Sequence, residues 1–218
     1  MKLVAVSVAL PKAVEHENRS VQTGIFKAPV PGRRWLRRTQ LDGDGQADLK
    51  VHGGADKAAY AYPIEHYPVW EKELGRTGLS PGQFGENFTV EGLTEDNVHI
   101  GDRFRIGTAE VEATQPRKPC FKLGIRMGDP AFIKRFLASE RSGFYLRVVK
   151  EGQVAPGDVI ERSYSDPAAL SIRSAHRLMF SAGPKDSGWR DAVERAIGMP
   201  GLSEEWKATF QERLLERV

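Results

Sequence analysis

The chain has 218 residues, 32 Lys and Arg against 29 Asp and Glu, a net charge of +3 and one cysteine. That length suits one large domain, or one domain with an appendage, and 40 % hydrophobic with 28 % charged residues excludes wholesale disorder. A single cysteine excludes an intrachain disulfide and a cysteine-rich zinc site.

The first segment, MKLVAVSVALPKAVEHEN, has one basic residue near its start, a short alternating apolar run and no small-residue cleavage site. It reads as a strand and not as a signal peptide. No stretch approaches the roughly 20 apolar residues of a membrane helix, so a soluble cytoplasmic protein is expected. From there to about residue 163 the pattern is short, β-rich runs: VQTGIFKAPV, KAAYAY, QFGENFTV, DRFRIG, AEVEATQ, GFYLRVVKEG and DVIERS. Gly (22) and Pro (13) exceed their ordinary combined share of about 12 % and fall where strands would turn. This punctuation predicts an antiparallel barrel or sandwich in preference to βαβ repeats. Helical inserts are predicted at IEHYPVWEKELG and at DPAFIKRFLASER, the second with Asp129 as N-cap, Pro130 at the first helical position, and Phe132, Phe136 and Leu137 on one face. PGRRWLRRTQ, with Arg33, Arg34, Arg37 and Arg38, is either a solvated hairpin or loop or an anion-binding rim.

After about residue 165 the periodicity becomes helical. SIRSAHRLMFS, SGWRDAVERAIG and LSEEWKATFQERLLERV are separated by AGPKD and MPG, with Ser187 and Ser203 as expected N-caps. Residues 166–218 carry eight Lys/Arg and eight Asp/Glu, so the +3 belongs to the β-rich part. Three short amphipathic helices must bury their stripes against each other or against the main domain. They are an interaction module or lid, or simple structural packing.

Three segments carry chemistry. In DGDGQADLKVHGGADKAAYAYPIEHYPVW, Gly53 and Gly54 let backbone N–H groups approach an anion, and Lys57 supplies a point charge. His52 and His66 there are ligands, acid–base groups or hydrogen-bonded structural residues, with Tyr60, Tyr62, Glu65 and Tyr67 nearby in sequence. In SPGQFGENFTVEGL, Gly85, Glu86 and Asn87 form a tight polar turn. Asn87 either serves the turn or reads a heterocycle edge, since its amide offers donors and an acceptor together. In EATQPRKPCFKLGIRMGD, Cys120 is flanked by Arg117, Lys118, Lys122 and Arg126, which favour the thiolate that attacks electrophiles and binds soft metals. Pro116 and Pro119 stiffen its approach. The thiol is otherwise a buried hydrophobe or an intermolecular partner.

Taken together, TGIFKAPV, DGQADLKVHGGADKAAYAYPIEHY, FGENFTVEGL, IGDRFRIGTAEVEATQPRKPC and GFYLRVVKEGQVAPGD resemble the YiiM-type MOSC-domain proteins. MOSC names a domain first seen at the C-terminus of molybdenum-cofactor sulfurases. The tail is similar to the three-helix "3-alpha" domain that follows MOSC in this group. The resemblance implies a mainly β, MOSC-type β-barrel over residues 1–165 with a few helical inserts, then a three-helix domain over 166–218. It implies the molybdenum cofactor (molybdopterin with Mo), with Cys120 as the metal ligand or as carrier of a transferable sulfur. Lys57, Arg117, Arg126, Gly53 and Gly54 would hold the cofactor's phosphate and pterin, with Asn87 and His52 on the cofactor or substrate side. Reduction of N-hydroxylated bases such as 6-hydroxylaminopurine is the implied activity, fed by a flavoprotein reductase, with protons from His52, Tyr62 or Glu65. The arginine-rich RRWLRR departs from the pattern, which bears on the surface and partners. A cofactor or persulfide carrier without turnover is the second class. An anion- or nucleic-acid-binding barrel using the Arg33–Arg38 cluster ranks last, because strand-binding aromatics are not obviously interleaved with it. No stable nucleic-acid complex is expected, and dimerisation is left open.

Overall fold

Alternating apolar residues in KLVAVSV build β1 (Lys2–Val8), whose Leu3, Ala5 and Val6 enter the core. The structure is a computed structural model that describes residues 1–45, 47 and 53–215. Further strands follow in order: β2 (Lys12–His16), β3 (Arg19–Thr23), β4 (Ala28–Pro29), β5 (Arg34–Leu36), β6 (Ala59–Pro63) and β7 (Phe88–Glu91). Then come β8 (Arg103–Ile106), β9 (Ala109–Pro116), β10 (Phe144–Lys150), β11 (Gly152–Val154) and β12 (Ile160–Tyr164). Among the described residues eight of these form one sheet in the order β12-β8-β9-β10-β6-β7-β1-β4. The sheet curls until Lys2 bridges Val159, but no continuous ladder joins its ends. The mainly β class expected from the sequence holds, and "barrel" describes an open, curled sheet.

One pair departs from the antiparallel expectation. β6 and β7 run parallel, with Tyr62 opposite Thr89. The chain returns between them through α1 (His66–Leu74), the first expected helical insert. The second insert is α3 (Phe132–Ala138), preceded by α2 (Phe121–Met127), which periodicity did not mark. Its cap also differs from expectation. Ala131 is the N-cap, and the Asp129 carboxylate accepts the Ala131 N–H at 2.8 Å from just outside the helix.

The arginine-rich run is held within the protein. Arg34–Leu36 pairs with β11, Arg37 grips Asp42 through two hydrogen bonds of 3.1 Å, and the Arg38 guanidinium donates to Val148 and Val149 carbonyls. Arg33 reaches Asp158 at 3.5 Å. Of the two readings of this segment, the hairpin or loop has these partners in its favour.

The tail forms α4 (Ile172–Phe180), α5 (Trp189–Ile197) and α6 (Glu204–Leu215). Ser203 caps α6 through the Trp206 N–H, as expected; α5 starts at Gly188 without help from Ser187, and Ser171 caps α4. Ile172, Trp189, Val193, Trp206 and Phe210 belong to the same buried cluster as Leu3, Phe104 and Val111 of the sheet. The helices are therefore packed into the core. A second, aromatic cluster gathers Tyr62, Trp70, Phe84, Phe132 and Phe136 beneath α1 and α3.

Within α4, His176 is 1 % exposed, and neither ring nitrogen has a hydrogen-bond partner. Burial pushes its pKa down to about 4, against weaker upward pulls from Glu140 and Glu95. The folded state therefore resists protonation that the unfolded chain accepts below about pH 6.5. Stability is expected to be full above that pH and to fall as pH drops from about 6.5 towards 4, by roughly 2–3 kcal/mol. Urea unfolding of wild type and His176→Leu at pH 7.5 and 5 checks this, and equal losses in both proteins would refute it.

Candidate functional site

The FGEN turn is wrapped around a carboxylate. Glu86 is fully buried and accepts from Gly82 N–H at 2.7 Å, Phe84 N–H at 3.0 Å, the Thr89 hydroxyl at 3.0 Å and the Tyr67 hydroxyl. Burial pushes the Glu86 pKa up while these donors pull it down. Gly85 sits at φ +79°, and a Cβ there would meet Ile25 Cγ1 at 2.9 Å, so the turn needs glycine. Wound this way, the loop aims the Phe84 carbonyl at the Arg117 guanidinium, which donates to it.

Asn87, at the start of the next strand, ties three segments together. Its Oδ1 accepts the Tyr60 N–H at 3.2 Å, and its Nδ2 donates to Ser7 O at 3.3 Å and Asp44 Oδ2 at 2.9 Å. Both amide hydrogens of Asn87 are committed within the protein. Asp44 Oδ1 accepts the Ala9 N–H at 2.9 Å and pairs with the Lys27 ammonium. Lys27 and Asp44 are both buried. Burial lowers the Lys27 pKa, with Asp44 and Glu86 opposing the shift and Arg117 reinforcing it.

Cys120 lies where β9 has ended, at the N-cap position of α2, and its carbonyl accepts the Leu123 N–H at 2.9 Å. It is half-buried. Arg117 is buried behind it, with the guanidinium 4.6 Å from the Tyr60 ring centroid. Lys57 ends a short 3-10 turn (Ala55–Lys57) that Gly54 opens at φ +103°. The Lys57 ammonium pairs with Glu205 of α6 and stands 5.9 Å from the Tyr145 ring centroid.

Lys27, Asp44, Lys57, Asn87, Arg117 and Cys120 line one cleft that opens to solvent. Of the residues singled out from sequence, it brings together Lys57, Asn87, Arg117 and Cys120. Lys118 and Lys122 join them, as do Lys27 and Asp44, which sequence reasoning missed. Tyr62 is elsewhere: it is fully buried in the aromatic cluster, where its oxygen accepts the Trp70 indole N–H at 2.6 Å. Glu65 is also away from the cleft, an exposed side chain that accepts the Gly92 N–H at 2.6 Å. Arg126 lies against the Phe26 ring at 5.2 Å and does not line the cleft, nor do Gly53 and Gly54, which serve the turn before Lys57. His66 pairs with buried Glu95 at 2.7 Å, a structural role. His52 lies outside the described residues.

The donor set limits the chemistry. Among the described residues no cluster of three or more His, Cys, Asp or Glu side chains can hold a bare metal ion. The cleft instead offers one soft thiol beside several cations, the pattern suited to a metal that brings further ligands of its own on an anionic carrier. Among the described residues no helix is long and apolar enough to cross a membrane.

Known proteins share the sequence pattern and the fold. A MOSC domain profile matches residues 48–161, and a YiiM-like 3-alpha helix domain profile matches residues 188–217. The YflK protein of Bacillus subtilis is 40 % identical over 97 % of this chain and 93 % of its own length. A protein named reductase from Gibberella moniliformis is 32 % identical over 72 % of this chain, a match that spans 29 % of that longer protein. The crystal structure of YiiM from Geobacillus stearothermophilus superposes with a TM-score of 0.82 at 36 % identity, covering 98 % of both chains. The MOSC family is associated with molybdenum-cofactor binding. The chain belongs to the MOSC-domain family, in its YiiM-like branch with a C-terminal 3-alpha helix domain.

Proposed function

We propose that this protein is a molybdenum-cofactor-dependent reductase of N-hydroxylated compounds, such as N-hydroxylated purine bases, with Cys120 as the metal ligand. The observation that carries the reading is the Cys120 thiol opening onto the same cleft as Lys57 and Arg117. These residues fit the cofactor: the thiol offers a single soft donor, and the cations suit its phosphate. Bound there, the cofactor would supply two-electron redox chemistry that no side chain provides. The protein's share is binding and order. Arg117, locked onto the Phe84 carbonyl, gives a fixed positive charge, and the buried Asn87 amide holds the floor in register.

The overall reaction is balanced: the N-hydroxylated substrate takes up two electrons and two protons, its N–OH group becomes N–H, and one water leaves. A flavoprotein reductase is the proposed electron donor. The test uses protein purified from a cofactor-competent host, given 6-hydroxylaminopurine and a reduced flavoprotein. Adenine formation at a rate proportional to bound molybdenum is expected. Bound molybdenum without turnover, or a Cys120 adduct heavier by one sulfur in the intact mass, would favour the carrier reading instead.

A further inference from the structure

We propose that Lys27, held against Asp44 on the floor of the Cys120 cleft, is the acid that protonates the departing oxygen when the substrate N–O bond breaks. The inference rests on the reductase reading. Lys27 follows β3 in the TGIFK segment and is 8 % exposed, and the cleft is the space its side chain lines. Its carboxylate partner is fixed by three donors: Lys27 and the Ala9 N–H on one oxygen, and Asn87 Nδ2 on the other. Asp44, fixed in this way, positions the amine.

Among the described residues that line the cleft, Cys120 is the proposed metal ligand, Lys118 is exposed and Lys122 half-buried, so neither lysine is enclosed as Lys27 is. The Tyr60 hydroxyl donates to Ser142 O at 2.7 Å, and burial pushes its pKa far up. Burial likewise raises Tyr145. The Lys57 ammonium pairs with Glu205 of α6, a half-exposed carboxylate, whereas Lys27 pairs with a buried one. A guanidinium such as Arg117 does not release a proton in the working range. Tyr62 and Glu65 lie away from the cleft. The groups facing Lys27 are Asp44 and Glu86, which favour its charged form, and Arg117, which disfavours it. Burial outweighs the carboxylates and brings the amine closer to a useful proton donor.

The step is balanced. Two electrons from the flavoprotein reductase break the N–O bond. The Lys27 ammonium gives its proton to the leaving oxygen, which departs as water, and solvent supplies the proton on nitrogen. The resulting neutral amine stays beside Asp44 and is recharged from solvent.

The first test needs no variant. Cyanate modifies neutral amines, so in wild-type protein Lys27 carbamylation, followed by peptide mass spectrometry, should rise at lower pH than that of exposed Lys118. Asp44→Asn, which removes an opposing charge, should move the Lys27 curve to still lower pH. In cofactor-loaded protein, Lys27→Arg keeps the charge but not the exchangeable proton. It is expected to retain molybdenum, to lose about 100-fold in kcat with KM changed by less than about threefold, and to lose the alkaline limb of the pH profile. Wild-type-like kcat in Lys27→Arg overturns the inference alone, as does Lys27 labelling that tracks Lys118. Molybdenum lost from Lys27→Arg reassigns Lys27 to cofactor binding and overturns it too. Absence of wild-type turnover overturns both the inference and the reductase reading.

Discussion

Cys120→Ser is expected to lose molybdenum while remaining folded. A serine hydroxyl neither ionises near neutral pH nor suits a soft metal, so metal content should fall more than about tenfold and turnover with it. The fold has little reason to respond. Cys120 is half-buried, and its backbone occupies the N-cap position of α2, where serine is among the preferred residues. A stability change within about 0.5 kcal/mol is expected for so small a change at this site. Elemental analysis beside thermal unfolding checks both halves. Full molybdenum in the serine variant would remove Cys120 from the metal, and a large drop in melting temperature would make it a structural residue.

Glu86→Ala should have the largest effect on stability, although the residue is not among those that line the cleft. Removing the carboxylate leaves the Gly82 and Phe84 N–H groups and the Tyr67 and Thr89 hydroxyls without their acceptor in a buried site. Each orphaned donor costs about 1–3 kcal/mol, and with partial rearrangement the sum should be roughly 3–5 kcal/mol. For a chain of this size that lowers Tm by about 10 °C. The cleft should suffer as well, because the same loop presents Phe84 O to Arg117 and leads into Asn87. Glu86→Gln keeps one acceptor oxygen but turns an NH2 group towards donors, so it should fall between wild type and Glu86→Ala. Differential scanning calorimetry of the three proteins gives the order, and an Ala variant as stable as wild type would contradict the accounting.

What the sequence makes legible here is what lies close together along the chain. QPRKPC places a proline-braced thiol beside Arg117, and both reach the cleft. Lys57 follows its glycines for the same reason. Lys27 and Asp44 escaped notice because their pairing joins two segments 17 residues apart, and nothing in TGIFKAPV marks a buried ammonium. Tyr62 and Glu65 show the opposite error, since closeness to HGG along the chain does not bring their side chains to the cleft. Tyr62 is drawn into the aromatic cluster by Trp70 and Phe84, and Glu65 turns outward to Gly92. Strand positions were readable from alternation, whereas the parallel β6–β7 pair was not, because register depends on tertiary packing. α2 escaped because FKLGIRM is only two turns long and carries an internal glycine.

The pairing of Lys57 with Glu205, and of the Glu204 N–H with Asp56 148 residues earlier at 3.2 Å, sets an order of assembly. As the chain leaves the ribosome, the segments that carry Lys27, Asp44 and Cys120 emerge well before α6. The wall beside Lys57 is added after them. Contacts this distant in sequence slow folding, because the intervening chain must be ordered before they reward it. A ligand that needs the wall beside Lys57 is therefore expected to bind only after α6 has docked.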